Sequence, residues 1–136
     1  MAQITDEIVQ ASYDIGKKVY QGELIKEEGV EMLHSEYGMD KGSAVGYINI
    51  YKYMINGEEY TWTINEYATK YYLIKLLLDN GEKSFVNALD ALRKHIEYQD
   101  NVGHNVMKST KKIYSTFLEI RNNNYSSIVL KVFELF

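Results

Sequence analysis

Along most of the 136 residues, apolar side chains recur every three to four positions, and glycines break the recurrence where helices would stop. The first such segment runs from Ile4 to Tyr20, with Ile4, Ile8, Ala11, Ile15 and Val19 in register. Thr5 or Asp6 can cap its start and Gly22 can end it. Gly16, inside the segment, costs about 1 kcal/mol against alanine, which marks it as the site of a close helix crossing. From Glu23 to Tyr37, Val30, Leu33 and Tyr37 share a stripe beside Ile25 and Met32, and acids crowd the positive end of the helix dipole. Gly38 supplies a left-handed stop. A third helix is expected from Ser43, as its cap, to Asn56, with Ala44, Ile48, Tyr51 and Ile55 facing the core and Gly57 as its end.

The fourth segment, Glu58 to Asn80, is the longest and most apolar. Tyr60, Ile64, Tyr67, Ala68, Tyr71, Ile74 and Leu78 form one face, which Leu73, Leu76 and Leu77 widen. A helix apolar around most of its circumference belongs at the centre of a fold. After Gly81, a fifth helix from Glu82 to Tyr98 repeats the pattern through Phe85, Ala88, Leu89, Leu92 and Ile96, and Gln99 to Asn105 reads as a loop. A sixth runs from Val106 to Arg121 with Ile113, Phe117 and Ile120 inward, and Asn122 to Asn124 break it. The tail from Tyr125 to Phe136 would pack back through Val129, Val132 and Phe133 on a short helix, although its β-branched content also admits a strand. The expectation is an all-α fold, a single compact domain over residues 1–136 with six to seven helices and a helix-turn-helix-like unit.

Composition sharpens this picture. The absence of proline suits a chain that is nearly all helix, and the 46% of hydrophobic residues suits a globular one. With no cysteine there is neither a disulfide framework nor a thiolate zinc site. No apolar run approaches membrane-spanning length and the N-terminus lacks the pattern of a signal peptide, so a cytoplasmic location is expected. The formal charge of −4 opposes a simple nucleic-acid reading, yet it is unevenly spread. From Lys41 to Asn56 there are two lysines and no acid.

That segment follows the turn Gly38-Met39-Asp40-Lys41-Gly42, and a helix, a glycine turn and a second helix form the layout of a helix-turn-helix. Its second helix is the usual reader of a DNA major groove. With Ala44, Ile48, Tyr51 and Ile55 inward, the outer edge would carry Lys41, Ser43, Asn49 and Lys52, flanked by Tyr47 and Tyr53. Lysine neutralises phosphate, asparagine pairs with adenine, and serine or tyrosine bonds to either base or backbone. An ordinary helical corner, turned by its glycines, is the plainer account of the same residues.

The pattern GxxxxEExVxxLxxxYGMxxGSAxxYIxxYxxMxxGxxYxxxINxYATxYYL runs from Gly22 to Leu73 and continues as ALxALxxHIxY from Ala88 to Tyr98. It resembles the helical N-terminal domain that precedes an HNH nuclease module in certain bacterial restriction-type endonucleases. The resemblance covers roughly the first 100 residues and implies recognition of double-stranded DNA, modified or not, within restriction-modification or host defence. A nuclease half is missing: His34, His95 and His104 lie on separate segments and no cysteine is present. The expectation is a fragment of a larger enzyme or a free-standing relative that kept the binding part.

The other chemistry-bearing residues have plain readings. Thirteen tyrosines, among them Tyr47, Tyr51 and Tyr53 on one helix and Tyr67, Tyr71 and Tyr72 on another, suit core margins or, more sharply, a slot for an extruded base. Trp62 suits a core or an interface. His95 suits a structural hydrogen bond to Tyr98 or a backbone carbonyl. Glu27, Glu28, Glu31, Glu58 and Glu59 read as solvated faces, and Lys108, Lys111, Lys112 and Arg121 as a solvated face or a phosphate-contacting one. No nucleotide-binding, hydrolase or metalloprotease motif is present, so neither enzyme activity nor a cofactor is expected. Two alternatives remain. One is a protein-interaction module, such as a phage or mobile-element inhibitor of a host defence enzyme; the other is a homodimeric regulatory protein joined through the apolar tail.

Overall fold

The computed structural model describes residues 3–103 and 107–135, apart from the side chains at 133 and 135. Those residues form seven helices and no strand: α1 (Asp6–Tyr20), α2 (Lys26–Tyr37), α3 (Lys41–Asn56), α4 (Glu66–Asn80), α5 (Glu82–Val102), α6 (Lys108–Asn122) and α7 (Ile128–Leu135). The expected all-α class is what forms. Contacts divide the chain into two compact units, one up to Tyr53 and one from Met54 onward. No described helix is long and apolar enough to cross a membrane.

In the first unit, the Thr5 hydroxyl accepts from the Ile8 N–H at 3.3 Å and opens α1, as expected. α2 begins three residues later than expected. Its Glu28 carboxylate reaches back to the Ile25 N–H at 3.0 Å, which anchors the start at Lys26. Two glycines let the helices meet. A Cβ on Gly16 would lie 3.1 Å from Tyr51 Cβ and 3.4 Å from the Ile48 carbonyl oxygen, the close crossing its helix position implied. A Cβ on Gly29 would lie 2.9 Å from Ile15 and 3.2 Å from Ile48. The rings of Tyr13 and Tyr20 pack on Tyr51 with centroids 5.3 and 5.7 Å away. Such pairs contribute roughly 0.5–1.5 kcal/mol each beyond area burial.

The second unit is organised around α4, which packs on α5, α6 and α7. Ala68, Tyr72, Leu73, Ile74 and Leu76 are fully buried, so its expected central role holds within this unit. Two expectations fail. Leu78, placed on the buried face by periodicity, is 56% exposed, and α4 starts at Glu66 rather than Glu58. The Asn65 side chain caps the Ala68 N–H at 2.8 Å and thereby sets the true start.

Residues 57–65 stay non-helical because α5 supplies partners for their carbonyls. Lys94 Nζ donates to Gly57 O at 2.7 Å and His95 Nδ1 to Tyr60 O at 2.6 Å. Gln99 Nε2 donates to Thr61 O at 3.3 Å. Asn87 Nδ2 holds the preceding Ile55 carbonyl at 3.0 Å. The same row explains why α5 continues through the expected loop at Gln99: that side chain is 7% exposed and occupied, and the stop falls at Gly103 (φ 71°).

Phe85 meets Phe117 of α6 and Tyr125 at centroid distances of 6.3 and 5.6 Å. Val129, expected to pack inward, is 60% exposed beside Leu130 at 66%. The expected first residue of the sixth helix, Val106, lies outside the described residues, as do His104 and Asn105.

Candidate nucleic-acid interface

The turn before α3 is built from both of its neighbours. Gly38 (φ 70°) donates its N–H to His34 O at 3.0 Å, the Met39 N–H reaches Leu33 O at 3.2 Å, and His34 Nδ1 donates to Met39 O at 2.8 Å. The cap of α3 is Asp40 rather than Ser43. Its carboxylate accepts from the Ser43 N–H at 3.1 Å, and the helix therefore begins at Lys41. An aspartate satisfies the first donors as serine would and adds a charge that suits the positive helix end.

The six residues expected to read DNA do not share one face. Tyr47 is 2% exposed, so it can neither stack on a base nor bond to a phosphate. It stands one turn before Tyr51, on the buried side, and Ser43 one turn earlier is half-buried on that same side. The buried arc is wider than Ala44, Ile48 and Tyr51 alone implied, because Gly46, Ile50 and Met54 form a second inward row at spacings of four. That second row was visible in the sequence and is the signal that places Tyr47 inside.

The other four residues do come together. Lys41, Val45 and Asn49 follow each other at spacings of four, and Lys52 and Tyr53 complete the row one turn on. Twelve steps of about 1.5 Å from Lys41 to Tyr53 make a strip about 18 Å long. Lys41 and Lys52 are exposed, whereas Asn49 and Tyr53 are half-buried. Two carboxylates stand at the start of the strip: the Asp40 cap, and Glu31 of α2, which lies 3.4 Å from Lys41 Nζ with both side chains about 60% exposed. An exposed pair of this kind contributes about 0–1 kcal/mol, so the ammonium can exchange it for another anion. The sharper reading of the tyrosines does not hold on α3, where Tyr47 and Tyr51 are core residues.

A second feature belongs to the later unit alone. α4, α6 and α7 enclose a recess of about 410 Å³. Ile74, Ile113 and Phe117 line it, none more than 5% exposed, and so do Lys70, Lys112, Lys131, Ser109, Thr116, Glu66 and Glu134. Of the basic group expected on α6, Lys112 faces this recess, whereas Lys111 pairs with Asp100 at 3.1 Å. Lys70 and Lys131 gave no signal in the sequence because they come from distant segments.

His95, expected to be structural, is 2% exposed, bonded to the Tyr60 carbonyl and stacked on the Tyr60 ring at 4.3 Å. Burial pushes its imidazole below the ordinary histidine value, against the opposing effects of the carbonyl and of Glu59. Trp62 is 45% exposed. Among the described residues no cluster of histidine and carboxylate side chains could hold a metal. No protein-family model, curated protein or solved structure matches this chain.

Proposed function

We propose that the chain binds double-stranded DNA through α3, as the recognition part of an HNH-type restriction system or as a free-standing relative acting in the cytoplasm. The observation that carries this reading is the row of Lys41, Asn49, Lys52 and Tyr53 on a helix that contains no acid, in a chain whose net charge is −4. An acidic protein that keeps one helix free of carboxylates leaves that helix able to approach a polyanion. Exposed lysines at either end of the strip suit two phosphates, and the asparagine between them suits a base edge. Ser43 and Tyr47 have no part in this revised interface.

The test is fluorescence anisotropy with modified and unmodified duplexes over a salt series. Lys52→Ala should weaken binding to all sequences alike and reduce the slope of log affinity against log salt by about 0.9. Asn49→Ala should instead relax sequence preference, a base contact being worth about 1–3 kcal/mol of discrimination. Absence of salt-dependent binding to any duplex, or unchanged affinity in Lys52→Ala, would remove the reading.

A further inference from the structure

We infer that Asn80 is a site of self-modification: the backbone nitrogen of Gly81 displaces its side-chain amide, and water then leaves a carboxylate in its place, partly as isoaspartate. The chain carries the dipeptide Asn-Gly twice, as Asn56-Gly57 at the end of α3 and as Asn80-Gly81 between α4 and α5. Each asparagine is the last residue of its helix and is exposed. Each glycine has a positive φ, 69° at Gly57 and 92° at Gly81. Glycine matters here because it has no side chain to shield the attacking nitrogen. By sequence the two sites have equal chemistry. Their surroundings separate them.

The Gly81 nitrogen attacks Asn80 Cγ, the new N–Cγ bond closes a cyclic imide, and the side-chain nitrogen leaves as ammonia with the proton of the Gly81 amide. Water then opens the ring at either carbonyl, giving aspartate or isoaspartate. Closure requires the Asn-Gly peptide to swing out of its helical setting, so the rate follows how easily that turn opens. At Asn56, side chains of α5 clamp the backbone on both sides. Asn87 Nδ2 donates to Ile55 O at 3.0 Å and Lys94 Nζ to Gly57 O at 2.7 Å. Gly57 is buried, and a Cβ there would lie 3.5 Å from the Asn87 carbonyl oxygen. Asn56 also has a partner of its own. Around Asn80 only main-chain bonds hold the turn, from the Gly81 N–H to Leu77 O at 2.9 Å and from the Phe85 N–H to Gly81 O at 3.2 Å. A Cβ on Gly81 would meet nothing within 4 Å, and no partner among the described residues engages the Asn80 side chain. The product makes the chain one unit more negative than −4 and, as isoaspartate, adds a backbone methylene where α4 passes into α5.

The experiment is incubation of the full chain in mildly alkaline buffer, with proteolysis and mass spectrometry of samples taken over time. The change from amide to acid is located in each peptide, and isoaspartate is told from aspartate by fragmentation. In the folded chain Asn80 should convert at least about tenfold faster than Asn56. In urea the two should convert at rates within about threefold of each other, because the clamp is gone and the dipeptide is the same. Asn87→Ala, which frees Ile55 O, should speed Asn56 at least about threefold and leave Asn80 unchanged. Lys94→Met, which frees Gly57 O, should do the same and supplies a second route should Asn87→Ala fail to fold. Equal rates at the two sites in the folded chain would overturn the proposal. So would an Asn80 that stays intact while the unfolded chain converts, or a folded Lys94→Met chain in which Asn56 is as slow as before.

Discussion

The two units are held together by opposite means. Up to Tyr53, helices meet where side chains have been removed: Gly16 and Gly29 let α1, α2 and α3 approach until one added carbon would touch the next helix. From Met54 onward, the non-helical stretch before α4 is held by side chains that α5 adds, through Asn87, Lys94, His95 and Gln99. The first arrangement should therefore be sensitive to gaining atoms and the second to losing them. Packing of the first kind relies on dispersion at short range and is silent to pH, whereas the second carries a titratable group at its centre.

Four substitutions or conditions separate these behaviours. His95→Ala should have the largest effect. It leaves the buried Tyr60 carbonyl without its donor and opens a cavity beside the ring, and a loss of about 3 kcal/mol is expected by urea denaturation. Gly16→Ala comes next. Alanine gains about 1 kcal/mol in helix propensity, but the contact at 3.1 Å is with a Cβ that cannot rotate away, so a net loss of about 1–2 kcal/mol should remain. A net gain in Gly16→Ala would show that the crossing is looser than its geometry.

The third test is pH. Because His95 sits below the ordinary histidine value when folded, the unfolded chain takes up that proton first as pH falls. Its contribution is complete above the ordinary value and is lost as pH drops from there through the folded one. Thermal midpoints measured from pH 7 to 5 should fall in the native chain and fall less in His95→Asn; parallel curves would refute the assignment. The smallest effect belongs to Tyr60→Phe. The Tyr60 hydroxyl is buried with no partner among the described residues, so its removal should be neutral or stabilising by up to about 1 kcal/mol.

Periodicity carried the number and order of helices, since Ile8, Leu33, Leu73, Phe85 and Phe117 are all core residues at the positions their spacing indicated. It misplaced the start of α4 because Tyr60 and Ile64 are buried without being helical, and apolar spacing records burial rather than backbone conformation. The hydrogen bonds that settle the matter come from residues more than 30 positions away, beyond any local window. The site was legible only in part. Lys41, Asn49, Lys52 and Tyr53 form the strip that a helix from this segment would show, but choosing one inward stripe on α3 hid the second and placed Tyr47 on the wrong side. The recess was legible only along α6, where Ile113 and Phe117 were expected inward and Lys112 on a charged face; Lys70 and Lys131 join it only once three helices are packed.

Thr63 has one hydroxyl proton and two neighbours, His95 Nε2 at 3.3 Å and Gln99 Nε2 at 3.4 Å. The amide nitrogen of Gln99 can only give, and the Nε2 of the imidazole, whose other nitrogen is committed to Tyr60 O, can only receive while the ring is neutral. The relay thus has one permitted orientation, from glutamine through threonine to histidine. A second proton on the ring reverses the last contact: His95 Nε2 then donates to the Thr63 oxygen, which accepts from Gln99 as well, and the exposed hydroxyl turns its own proton to solvent, so acidification rewires a full turn of α5 rather than the titrating ring alone.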